Sequence, residues 1–236
     1  MPQAHITLQT HAFDFWLARG AIALIAALQW LFINGNLTPG PRWLAPAVEM
    51  AMLAPLSAVT AWNQRAASLA TAEHHWLRVG ATRRIVRGMA LLLTVLVMAI
   101  NFDALVAVTR ALLHGARGPT GQALLLDALN IWFTNVVIFA LWFWTLDRAG
   151  PARRGLARTD SPDFLFPQML GPGDGDPKWT PGFIDYFYVA FTNATAFSPT
   201  DTMPLSIAAK LLMTLEASVS LLTVGLVAAR AVNILG

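Results

Sequence analysis

The sequence contains no cysteine. Disulfide scaffolds, thiolate metal sites and cysteine nucleophiles are therefore excluded. Charge is scarce as well: 12% of the 236 residues are Asp, Glu, Lys or Arg, against about 25% in an ordinary soluble domain. Disorder requires low hydrophobicity and high charge, and this chain has the reverse, with 56% hydrophobic residues. A soluble fold of this length could not hide so much apolar surface. The common catalytic signatures are missing too. There is no His-Glu-x-x-His, no Gly-x-Ser-x-Gly and no phosphate-cradling glycine loop. The adjacent His74 and His75 point about 100° apart on a helix and make a poor metal pair. No enzyme, metal centre or cofactor is expected.

What is present is length of apolar sequence. Five stretches are long enough to span a bilayer: about 15–34, 43–62, 85–107, 123–146 and 205–234. A sixth, 181–199, is shorter and more polar. It holds 18 residues from Gly182 to Pro199, about 27 Å of helix. That barely crosses a core of about 30 Å. The expected fold is an all-α polytopic membrane bundle with six spans in one integral membrane domain, 1–236. The fifth span either crosses or re-enters as a short pore helix. Thr180 as N-cap and Pro181 as first helical residue mark its start.

Net charge is +3, but the basic residues lie in short runs between apolar stretches, where orientation signals belong. This is not a nucleic-acid surface. With the N-terminus cytoplasmic and six crossings, twelve of the sixteen Lys and Arg lie inside; Arg42, Arg110, Arg117 and Lys210 lie outside. That bias predicts both termini inside. Trp16, Trp62, Trp142, Trp144 and Trp179 fall near inner span ends, and Trp30 and Trp43 near outer ones, as an interfacial belt requires. The inner loop, 147–180, is rich in Pro, Gly and Asp around an apolar island, Asp163 to Leu170. That island belongs on the membrane surface or in an inner vestibule.

Acids inside a membrane are costly and face an interior or a wet cavity. Glu49, Asp103 and Asp127 form a candidate outer acidic vestibule, joined in depth by Glu216 and by Asp201 in the short outer connection. Polar stripes add to them. Asp127, Asn130 and Thr134 share a face of the fourth span, and Asp185, Tyr188, Thr192 and Thr195 share one of the fifth. In the last span Glu216, Ser220, Thr223 and Arg230 fall within about 80° of arc. The stripes either line a pathway or hold helices together by hydrogen bonds. The segment Ser198 to Pro204 reads as a tight connection, with Asp201 capping the last helix.

The run Tyr186-Phe-Tyr-Val-Ala-Phe-Thr-Asn-Ala-Thr-Ala-Phe-Ser-Pro-Thr-Asp-Thr-Met-Pro204, followed by a long apolar helix, resembles the pore region of two-span potassium channels. The resemblance matches Thr192 and Thr195 to the threonines ending the pore helix, Asp201 to Pro204 to Asp-x-x-Pro, and Gly225 to an inner-helix hinge. The glycine filter is absent: no glycine lies between Gly182 and Gly225, so potassium selectivity does not carry over. The chain also resembles uncharacterised bacterial multi-span proteins labelled ion-channel-like. The resemblance implies a channel-like or transport protein for a small cation. Its pathway candidates are Thr192, Asn193, Thr195, Ser198, Thr200, Asp201, Glu216, Ser220 and Thr223. The alternative is a non-transporting scaffold or accessory subunit. Expected partners are the lipid bilayer, a small cation and further copies of the chain.

Overall fold

The computed structural model describes residues 2–32, 41, 43–68, 73–113, 121–147, 162–170, 179–195 and 201–235. Side chains are described for 13–31, 41, 43–59, 61, 88–110, 125–147, 162–170, 179–195 and 201–228. Six helices form: α1 (Pro2–Phe32), α2 (Leu44–Ser68), α3 (Glu73–Leu113), α4 (Gly121–Leu146), α5 (Phe183–Thr195) and α6 (Ile207–Leu235). Two short strands, β1 (Phe164–Leu165) and β2 (Met203–Pro204), flank α5. Four helices carry segments long and apolar enough to cross a membrane: Phe13–Leu31, Gly88–Arg110, Leu125–Leu146 and Ile207–Ala228. The apolar part of α2, Leu44–Val59, is shorter.

Helix α4 is the hub, packed against α1, α3, α5 and α6, while α2 bridges α1 and α3. The apolar window of α4 is 67% buried and that of α6 only 17%. α6 therefore gives one face to the bundle and leaves the rest, including Leu211, Leu215, Leu221 and Leu222, exposed.

The strands decide how the chain passes α5. β1 and β2 pair antiparallel, Phe164 opposite Pro204 and Leu165 opposite Met203, and Leu205 N–H donates to Asp163 O at 2.8 Å. The chain thus leaves and rejoins one end of the bundle on either side of α5. Of the six spans expected, four are matched by helices long and apolar enough to cross. α5 itself has 13 residues, about 20 Å, too short to span. α6 consequently starts at the end where α4 stops and runs toward the other.

The start of α5 differs from the expected Thr180–Pro181 pair as well. The helix begins at Phe183, and the Asp185 carboxylate reaches back to accept from Gly182 N–H at 2.7 Å, half of a capping box. Asp14 of α1 accepts from Phe183 N–H at 3.3 Å. A Cβ at position 182 would lie 2.8 Å from Asp14 Oδ1 and push that carboxylate aside. The apolar island is packed rather than spread on a surface. Phe164 sits against Phe143 and Tyr186, and Phe166 against Tyr186 and Trp179. Asp147, at the end of α4, accepts from Asp163 N–H at 2.7 Å and from the Tyr186 hydroxyl. Island, strands and α5 are thereby tied to one point.

Candidate functional site

The inner tip of α5 meets α6 deep in the bundle. Its buried residues, Phe183, Tyr186, Val189, Ala190 and Ala194, recur at helical spacing and turn one side to α4, where Trp144, Phe133 and Trp132 meet Phe183, Phe187 and Phe191 edge to face. This packing carries Asn193 to α6. The Asn193 amide donates to Met213 O at 2.8 Å and to Glu216 Oε2 at 2.7 Å. Glu216 is fully buried, nine residues into α6 and about 14 Å from its start. Its second oxygen, Oε1, has no hydrogen-bond partner among the described residues.

A second asparagine closes the site from α4. Asn135 donates to Ser220 Oγ at 2.9 Å and lies 3.5 Å from Glu216 O. Glu216, Ser220 and Thr223 are all buried, so the α6 stripe turns inward as its spacing predicts. Arg230's side chain lies outside the described residues. The stripe of α4 is buried too: Asp127, Asn130 and Thr134 line up above Asn135. Asn130 Oδ1 and Thr134 Oγ1 have no partner among the described residues. Because α4 and α6 run antiparallel with Asn135 at Ser220, Thr223 faces the Asn130–Thr134 level. Asn193, Glu216, Ser220 and Asn135 thus meet where α5, α6 and α4 come together.

The other expected site residues lie elsewhere. Thr192 and Thr195 are half-buried and donate to carbonyls of their own helix, Thr192 to Tyr188 O and Val189 O, Thr195 to Thr192 O. The Asp185–Tyr188–Thr192–Thr195 stripe does not turn inward, for Tyr188 is exposed. Ser198 and Thr200 lie outside the described residues. Asp201 is exposed, and α6 is capped instead by Ser206, whose hydroxyl accepts from Ala209 N–H at 3.1 Å. The outer vestibule does not assemble. Asp103 is exposed, while Glu49 and Asp127 are buried on separate helices. Asp201 sits with β2, at the opposite end of the bundle from the starts of α2 and α4 where Glu49 and Asp127 lie.

Sequence reasoning missed Asn135, which lies one residue off the α4 stripe and so about 100° round the helix. It also missed Gln29, which is 2% exposed and lies opposite α2. Asn101 is a third, bridging α3 to α4 by donating to Ile131 O at 3.2 Å. Among the described residues no group of three or more His, Asp or Glu side chains is placed to hold a metal. Comparison with protein-family models, with curated proteins and with solved structures finds no match to this chain.

Proposed function

We propose that the protein passes a small cation across a membrane by way of Glu216, with α5 as a re-entrant helix that delivers Asn193 to the same depth. The observation that carries this reading is Glu216 itself. A carboxyl in the middle of a membrane bundle, bonded on one oxygen by an amide and on the other by no described residue, is costly unless it meets a cation, a proton or water. The hydroxyls and amides of Ser220, Thr223, Asn130 and Thr134 continue from it as weak oxygen ligands, suited to binding that an ion can leave.

The arrangement of α4, re-entrant α5 and α6 has the order of the potassium-channel pore region that Tyr186 to Pro204 resembles. The basic residues favour entry from the cytoplasmic side. With five crossings Lys210 joins the inner set and Arg230 leaves it, so the twelve-to-four bias is the same as with six. On this reading the N-terminus is inside, the C-terminus is outside, and the membrane is a bacterial cytoplasmic one.

The test is flux from liposomes holding the purified protein, with sodium, potassium and protons measured separately. Glu216→Gln keeps the shape and the Asn193 contact but removes the charge. It should lower flux of the carried cation by about tenfold or more, the effect of losing ~1.4 kcal/mol of ion stabilisation, with unchanged thermal unfolding. Flux no greater than in empty liposomes for every cation, or equal flux in the variant, overturns the reading and leaves a scaffold whose polar residues only join helices.

A further inference from the structure

Four helices form a ring: α2 packs against α1 and α3, and α4 packs against the same two. One level of that ring is polar. Phe15 of α1 meets Trp144 of α4 with ring centroids 5.2 Å apart, and Ile22 and Ile25 share a core with Ile138 and Leu141, so α1 and α4 run antiparallel. Gln29 stands fourteen residues beyond Phe15, and Asn130 fourteen residues before Trp144. Fourteen residues are about 21 Å of helix and within about 40° of four whole turns. Gln29 and Asn130 therefore reach one level on facing sides of α1 and α4. α3 brings Asn101 there, whose amide donates to Ile131 O beside Asn130. α2 brings Glu49, to whose carboxyl the Gln29 amide is placed to donate.

Glu49, Gln29, Asn130 and Thr134 are all buried, and their oxygens are under-used. Gln29 Oε1, Asn130 Oδ1, Thr134 Oγ1 and both Glu49 oxygens lack a hydrogen-bond partner of ordinary distance and angle among the described residues. The Gln29 amide can serve Glu49 and still leave its own oxygen open, because donor and acceptor sit on opposite sides of the amide. Thr134, one turn from Asn130, departs from the habit of this chain. The other seven threonines described on helices donate to a carbonyl three or four residues back; Thr134 does not. One turn deeper, Ile25, Leu53 and Val97 close the level with apolar core. The basic side chains described on these helices, Arg19 and Arg110, stand nine or more residues away, about 13 Å or more. Asp127, one turn nearer the start of α4, already has a partner.

We propose that Glu49, Gln29, Asn130 and Thr134 bind one dehydrated monovalent cation, sodium or potassium, inside the α1–α4 ring. The open oxygens replace its water: two of Glu49 and one each of Gln29, Asn130 and Thr134. The single carboxylate sets the valence. A monovalent ion makes the buried site neutral, whereas a divalent ion would leave a net charge in a low-dielectric interior. Asn101, bound to Ile131 O, holds α3 at this level and is not a ligand. The site does not depend on Glu216 carrying an ion.

Thermal unfolding of the full chain in lipid nanodiscs tests this, with choline chloride replaced stepwise by sodium or potassium chloride at constant pH and ionic strength. The wild type should show a saturable rise in Tm with at least one of the two ions, larger than magnesium or calcium gives. Glu49→Gln should abolish the rise. Thr134→Val keeps the shape but removes one oxygen, and should raise the half-saturating concentration about tenfold or more. Glu216→Gln should keep the wild-type response. The proposal is overturned by no rise over choline in the wild type, by a larger rise with a divalent ion, or by a full rise in Glu49→Gln. An unchanged half-saturating concentration in Thr134→Val overturns it as well, and so does loss of the rise in Glu216→Gln, which would place the ion at Glu216. Should Glu49→Gln fail to fold, the wild type, Thr134→Val and Glu216→Gln still decide.

Discussion

At Glu216 two asparagines do different work. Asn193 bonds the carboxyl and the Met213 carbonyl, while Asn135 bonds Ser220 and leaves the carboxyl alone. Removing Asn193 strips the carboxyl of its only hydrogen bond among the described residues, and a buried group left unsatisfied costs about 1–3 kcal/mol. Asn193→Ala should therefore destabilise by that amount in detergent unfolding. The double variant with Glu216→Gln should recover part of it, since a neutral amide is cheaper to leave unpaired than a carboxylate. Full additivity of the two changes would contradict the contact. Glu216, Ser220 and Thr223 were legible because a helical repeat marks one face of α6. Their partners were not, because Asn135 stands off its stripe and Asn193 is chosen by how α5 packs, which no local spacing encodes.

For α5 the informative feature is its pair of flanks. A run of 18 polar-apolar residues reads as a marginal span, and among the described residues 13 of them form α5. The pairing of Phe164 with Pro204, forty residues apart in sequence, brings those flanks together. Lys210 and Arg230 exchange sides between the two topologies, so charge counting was blind to the difference. Single cysteines at the exposed Gln168 and Asp201 should label from the same side of the membrane; labelling from opposite sides would restore a crossing. The start of α6 gives a second check. Ser206→Ala removes the N-cap and should cost about 0.5–2 kcal/mol. Asp201→Ala, at an exposed position before β2, should leave thermal unfolding almost unchanged.

Across the whole molecule, polarity is sorted toward α4. α3 and α6 bring Asn101 and Ser220 to it, and α6 keeps its leucines on the outer surface. The membrane class, four helices long and apolar enough to cross and the inward stripe of α6 were readable from composition and period. An acidic mouth shared by Glu49, Asp103, Asp127 and Asp201 was not a valid reading, because similar depth on separate helices says nothing about which side each faces. If Glu216 carries a cation, a wet path must reach it between α4 and α6. Its most direct test places a lone cysteine at Ser220, one turn beyond that carboxyl, in this otherwise cysteine-free chain. A small positively charged thiol reagent should modify Ser220→Cys in liposomes, and a negatively charged reagent of the same size should not. Failure of both reagents, with the variant folded, would mean a dry bundle and contradict the account.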